Sequence, residues 1–108
     1  MSKPYNFIQN LADSANIPAK GILSQTIHDD DTVRAVLFGF ATGEELSEHT
    51  ASVPAIIHII QGEARITVGG DSFDGSPETW IHMAAKQPHS IHANTPLIML
   101  LLMLKAAQ

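Results

Sequence analysis

Histidine is the residue type with the clearest chemical potential in this sequence. An imidazole donates or accepts a hydrogen bond, exchanges a proton near neutral pH, or ligates a transition metal. The chain has no cysteine, so any metal site must be built from histidines, carboxylates and water. The chemistry therefore depends on which imidazoles the fold brings together. The candidates are His28, His49, His58, His82, His89 and His92.

Two acidic clusters are typical of solvated segments rather than of sites. His28 precedes the triplet 29–31 of aspartates, which lacks the further oxygen ligands and the glycine of an EF-hand and therefore favours a turn. Glu44, Glu45 and Glu48 crowd the approach to a histidine, but a run of this kind usually forms a solvated loop. We assign no role to either cluster.

Composition indicates one globular domain, residues 1–108, with 44% hydrophobic and 16% charged residues. The formal net charge is −5 without a Lys/Arg cluster, which disfavours nucleic-acid binding. The first 15 residues lack the features of a signal peptide, and the apolar run 97–104 is too short to cross a membrane. We therefore expect a cytoplasmic protein with no membrane partner.

The elements that must position the histidines are short strands. Segments rich in β-branched and apolar residues alternate with turn residues, and this pattern predicts an all-β barrel or sandwich. The stretch 7–15 has apolar residues at helical spacing and is either a short helix or an extended arm. The predicted strands are 21–27, 33–40, 55–60, 64–68, 79–83, 90–93 and 97–104.

The segment 43–62 resembles the first conserved block of the cupin superfamily. That block reads glycine, five residues, His-x-His, three or four residues, glutamate, six residues, glycine. Gly43, His49 and Gly62 are in register with it, whereas Ala51 replaces the second histidine and Ala55 replaces the glutamate.

The segment 84–93 is similar to the second block, Pro-x-Gly-x-x-His with an asparagine four residues later. His89 keeps the histidine, while Ala84 and Lys86 replace the proline and glycine and Ala93 stands at the asparagine position. The resemblance is to small single-domain cupins of the cupin 2 conserved barrel kind. It implies a cupin-type antiparallel β-barrel, also described as a double-stranded β-helix or jelly roll.

The resemblance also implies a depleted metal site. Cupin enzymes hold iron, manganese, nickel or zinc with three histidines and a glutamate. Strand periodicity would turn His49, position 51 and His89 inward to converge, but alanines offer no lone pair. The expected cofactor is none, or one weakly bound divalent transition metal (Fe, Mn, Ni or Zn).

Strand parity decides which other histidines join the pair. His92 is three residues from His89, and His58 is three residues from Ala55, so both are predicted on the outer face. The register of the strand holding His82 is not determined by the sequence. His82 is therefore the remaining candidate for a third metal ligand.

Two large apolar residues have two open interpretations. Trp80 and Met83 either line an apolar ligand pocket or pack in the core. We include both among the candidate ligand-binding residues, with His49 and His89.

These observations favour a cupin that binds a small molecule, with His49 and His89 orienting the ligand. The alternative is a metal-dependent dioxygenase, isomerase or decarboxylase that uses the same pair with a further ligand. A sensing module would need a partner or an attached DNA-binding domain and ranks last. Whether any reaction is catalysed stays open.

The apolar run 97–104 and the amino-terminal arm offer surface for a homodimer.

Overall fold

The computed structural model describes residues 4–105, which are almost entirely β-structure apart from one helical turn. None of its helices reaches the length and hydrophobicity that a bilayer crossing requires. The elements in chain order are α1 (Leu11–Ser14), β1 (Ile22–Asp29), β2 (Val33–Phe40), β3 (Glu45–His49), β4 (Ala55–Gln61), β5 (Ala64–Val68), β6 (Asp71–Gly75), β7 (Trp80–Met83), β8 (His89–Ala93) and β9 (Leu97–Leu104).

The strands form two antiparallel sheets that pack face to face. One sheet has five strands in the order β1-β2-β9-β4-β7, and the other has four in the order β3-β8-β5-β6. The prediction of an all-β antiparallel fold is confirmed. The order also leaves β6 and β7, which are consecutive in the chain, at the edges of different sheets.

Two of the strands were not predicted from the sequence. Glu45–His49 (β3) and Asp71–Gly75 (β6) are polar and largely exposed, so they lack the apolar run or strict alternation that indicates a strand. Both are held by pairing with apolar neighbours, β8 and β5 respectively. The bounds of β2, β5 and β9, in contrast, agree with the predicted segments.

The core lies between the sheets and follows the two-residue alternation of the strands. On β4, for example, Ile57 and Ile59 are completely buried while the intervening His58 is half-buried on the other face. Burying one such isoleucine contributes about 1.5–3 kcal/mol. The buried inner-face cluster comprises Phe40, Ala55, Ile57, Ile59, Ala64, Ile66, Met83, Ile91, Ala93, Leu97 and Met99.

A second apolar cluster covers the outer face of the five-stranded sheet. Its buried members are on β2 and β9, and the amino-terminal segment packs against them through Leu11, Ala12, Ala15 and Ile17. The helical turn α1 is capped by Asn10, whose side chain accepts a hydrogen bond from the Asp13 N–H. The stretch 7–15 is thus an arm with one helical turn, because four residues are too few for a helix that is stable without packing.

The apolar strand β9 does not offer the free surface for a homodimer that the sequence predicted. Both edges of β9 are paired, with β2 and β4, and the chain's own arm packs on its outer face. The apolar character of β9 is therefore explained within one chain. The homodimer stays a prediction.

The arm should depend on a glycine in the sheet beneath it. A Cβ added at Gly39 would lie 2.0 Å from the main-chain oxygen of Asn16, so Gly39→Ala must displace the arm. We expect it to lower the free energy of unfolding by about 1–3 kcal/mol, measured by urea denaturation. The control is Gly70→Ala, where an added Cβ meets nothing within 4 Å. Equal stability of the two variants would contradict the close packing of the arm.

Candidate functional site

The strand pairing of β3 with β8 places His49 directly opposite His89. Their ring centroids are 4.2 Å apart and their planes are inclined at 58°. This is the convergence that the sequence predicted for the two block histidines. The β3–β8 register shifts between Leu46 and His49, and this irregularity brings the last residue of β3 into the pair.

Main-chain carbonyls determine how both imidazoles are oriented. His49 Nδ1 lies 2.8 Å from the Ser47 carbonyl oxygen, and His89 Nδ1 lies 2.9 Å from the Gln87 carbonyl oxygen. A carbonyl only accepts hydrogen bonds, so each Nδ1 must carry the proton and donate. In the neutral form, each Nε2 therefore keeps a free lone pair.

The two rings differ in their access to solvent. The His49 side chain is exposed, whereas His89 is only 4% exposed. Burial lowers the pKa of His89 below the usual 6.5, and the adjacent His49 also lowers it, while the Gln87 carbonyl has the opposite effect. At neutral pH His89 is therefore a neutral hydrogen-bond acceptor at Nε2.

The two alanines of the first block lie in different environments. Ala55 is 2% exposed on the inner face of β4, opposite Met83 and Met103. Ala51, in contrast, lies beyond the end of β3, and its carbonyl accepts a hydrogen bond of 2.7 Å from the Lys86 N–H. That bond links the loop after β3 to the loop before β8.

The glycine positions of the two conserved blocks both have a left-handed backbone conformation. Gly62 has φ +94°, and an added Cβ would lie 2.1 Å from the Pro96 oxygen, so only glycine fits. Lys86, at the glycine position of the second block, has φ +67°. This left-handed conformation is costly for a residue with a Cβ, at roughly 1–2 kcal/mol.

The structure corrects the assignment of His82 as a third ligand. His82 is the register partner of Ile56, whereas its neighbour Met83 is the partner of the inner-face Ala55. His82 is therefore exposed on the outer face and does not converge with His49 and His89. Side chains of adjacent strand residues point to opposite faces, so no rotamer brings the imidazole inside.

Trp80 and Met83 lie on opposite faces of β7, because side chains alternate along a strand. Met83 is 2% exposed in the core cluster, so core packing accounts for it. Trp80 is the register partner of His58 on the outer face and is 58% exposed. Trp80 therefore lies on the opposite face of the sheet from Met83 and is not packed in the core.

The remaining histidines contact nearby carboxylates. His58 Nε2 lies 3.3 Å from Glu78, and His92 Nδ1 lies 3.6 Å from Glu45. Both are on the outer face, as strand parity predicted. His28 contacts Asp30, whose carboxylate also accepts hydrogen bonds from the main chain of residues 32 and 33. These contacts hold the acidic triplet in the turn that the sequence predicted.

The donor set of the pair does not fit the metal centre that the cupin resemblance implies. Catalytic centres of this kind generally need three protein ligands, and the pair supplies two. Nowhere in residues 4–105 do three or more His, Cys, Asp or Glu side chains form a group that could hold a metal ion. The arrangement instead presents two adjacent imidazole acceptors, one exposed and one buried.

Comparison with solved structures identifies the family. A cupin superfamily protein from Desulfitobacterium hafniense shares 30% sequence identity and a TM-score of 0.84, with 95% of this chain and 98% of that chain covered. The chain belongs to the cupin superfamily. A conserved protein of unknown function from Streptococcus pyogenes is similar at 26% identity and a TM-score of 0.84, over 97% and 96% of the two chains.

This chain is also similar to about half of a larger cupin protein. A cupin 2 conserved barrel domain protein from Leptotrichia buccalis shares 25% identity and a TM-score of 0.82, covering 89% of this cupin and 47% of that chain. No protein-family model matches the sequence, and no curated protein is detectably similar to it. The family is therefore established by structure and pairwise identity.

The buried imidazole should make stability depend on pH. Because folding lowers the pKa of His89 from 6.5, its stabilising effect is complete above about pH 6.5 and is lost as pH falls through the folded-state pKa. We expect the free energy of unfolding, from urea titrations at pH 7.5 and 5.0, to fall less for His89→Gln than for wild type. The control is His92→Gln, on the outer face, which should follow wild type. Parallel pH dependence of wild type and His89→Gln would contradict this assignment.

Proposed function

We propose that this cupin binds a small, neutral, hydroxyl-bearing organic molecule at the His49–His89 pair. The observation that carries the proposal is that both Nδ1 atoms donate to main-chain carbonyls. Two Nε2 lone pairs are thereby oriented before a ligand arrives, which reduces the entropy lost on binding.

The chemistry of the acceptors selects the ligand class. A neutral Nε2 accepts a hydrogen bond from an O–H or N–H group and offers nothing to a carboxylate or phosphate. The formal net charge of −5 also disfavours anions. A molecule with two neighbouring hydroxyl groups would satisfy both rings, with the exposed His49 forming the outer contact.

The same geometry argues against a tightly bound metal as the basis of function. Two imidazole ligands without a third protein donor would hold an ion weakly, with water or substrate completing the shell. We therefore propose binding rather than metal-dependent catalysis.

Titration with defined polyols tests the proposal. Glycerol, erythritol and xylose are the probes, and imidazole resonances of uniformly ¹⁵N-labelled protein are followed by NMR at pH 7.5. We expect at least one probe to shift the Nε2 resonances of His49 and His89 saturably, without moving those of His28 or His92.

Two variants provide the matched comparison. His49→Phe keeps a ring of similar size but removes the lone pair, and should weaken binding of the active probe at least tenfold, about 1.4 kcal/mol. His92→Phe makes the same change on the outer face and should bind like wild type. Shifts of equal size at all histidines, or undiminished binding by His49→Phe, would refute the proposal.

Restoring the missing donors should create a metal site. The double variant Ala51→His/Ala55→Glu supplies the full cupin ligand set, and we expect it to bind Ni²⁺ or Co²⁺ at least tenfold more tightly than wild type in calorimetry. Ala55 is buried, so a glutamate there is costly without the metal. Ala51→His alone is therefore measured in parallel, since it adds a third imidazole in a partly buried loop.

An exposed alanine provides the control for added histidine. Ala19→His lies in the loop before β1 and should leave metal affinity unchanged. If the folded Ala51 variants bound metal no more tightly than Ala19→His, the placement of residue 51 beside the histidine pair would be wrong.

A further inference from the structure

The open seam between the two sheets contains a cleft distinct from the histidine pair. β6 is the last strand of the four-stranded sheet and β7 is the last strand of the five-stranded sheet. Phe73 on β6 is opposite the core residue Ile66, and Ile81 on β7 is opposite the core residue Ile57. The two edges therefore present inner-face side chains on either side of a gap. The cleft has a volume of about 450 Å³ and is lined by Phe73, Asp74, Thr79, Trp80, Ile81 and His82.

The cleft exposes two aromatic rings that the fold leaves unpacked. Phe73 is 45% exposed and Trp80 is 58% exposed. Among the described residues, the ring–ring contacts are Phe38 with Phe40 and His49 with His89, so neither cleft ring packs on another aromatic ring. Aromatic surface exposed beside a concave site is typical of ligand recognition.

The charges around the cleft determine the kind of ligand that fits. Asp74 lines the cleft, and Glu78 immediately precedes the lining residue Thr79. Asp74 contacts the Arg65 guanidinium at 2.8 Å, and Glu78 contacts the imidazole of His58 at 3.3 Å. Two carboxylates at and beside the cleft therefore accompany one permanent positive charge, and their field favours a cation.

We propose that this cleft binds an organic ammonium cation with an apolar body. The faces of Trp80 and Phe73 attract a cation through their ring quadrupoles. The carboxylate of Asp74 adds attraction at the rim, and Ile81 offers apolar contact for the alkyl groups. This site is separate from the proposed polyol site because none of its lining residues belongs to β3 or β8.

Trp80 itself reports occupancy, since it is the one tryptophan of the sequence. The probe is choline, and the matched neutral probe is 3,3-dimethyl-1-butanol, in which carbon replaces the quaternary nitrogen. Fluorescence titrations are made at constant ionic strength. We expect a saturable change in Trp80 emission with choline and at least tenfold weaker binding of the neutral probe.

Substitutions of exposed charged residues can change choline binding without unfolding the protein. Arg65 and Asp74 have side chains 51% and 86% exposed, so their pair contributes little to stability. Asp74→Asn should weaken choline binding about threefold or more, whereas Arg65→Gln should strengthen it by freeing the carboxylate. Phe73→Leu should weaken it, and Asp13→Asn, which does not line the cleft, should have no effect.

Three results would overturn the proposal. One is equal affinity for choline and its neutral isostere, and another is no saturable change in emission. The third is sedimentation showing a dimer that dissociates in Trp80→Glu, because a second copy of the chain would then be the occupant. His49→Phe should retain choline binding, so failure of the polyol proposal would be recognised separately.

Discussion

The alternation of side chains along paired strands is the constraint on which this molecule depends. Each strand of the two sheets has one face toward the common core, so a residue's parity decides whether it is buried. On β4 this rule buries Ile57 and Ile59 and turns His58 outward. On the neighbouring β7 the same rule turns His82 to the outer face. His49 is the exception, because a register shift in the pairing of β3 with β8 brings it opposite His89.

The histidine pair shows how a fold can keep its geometry while changing its chemistry. Both imidazoles are anchored by main-chain carbonyls, an arrangement that also orients metal-binding histidines. Here, however, alanines stand at the two remaining ligand positions. The two rings can still accept hydrogen bonds at their Nε2 atoms. Lys86 stands at the glycine position of the second block, and its φ of +67° is the left-handed conformation that favours glycine.

The distribution of exposed surface follows from how the sheets are closed. The amino-terminal arm covers the outer face of β2 and β9, where Gly39 allows the close approach of Asn16. Among residues 4–105, the apolar cluster that includes this arm has no member on β6 or β7. Two edge strands in different sheets cannot share a ladder there, and the aromatic residues beside the gap remain exposed. The arm thus packs on one outer face of the barrel, whereas the seam between β6 and β7 keeps exposed aromatic surface.

The sequence by itself determined the all-β class, most of the apolar strands, the cupin resemblance and the convergence of His49 with His89. It also predicted the outward positions of His58 and His92, because parity within one strand is a local property. Only the tertiary structure decided the face of His82, since that depends on the register of β7 against β4. Likewise, polar β3 becomes a strand through hydrogen bonds to β8, far along the chain, and polar β6 through its hairpin with the preceding β5. The orientation of each Nε2 lone pair depends on a carbonyl two residues before the histidine. The Phe73–Trp80 cleft, lined by residues within 73–82, depends on β6 and β7 pairing into different sheets. No sequence pattern records either arrangement.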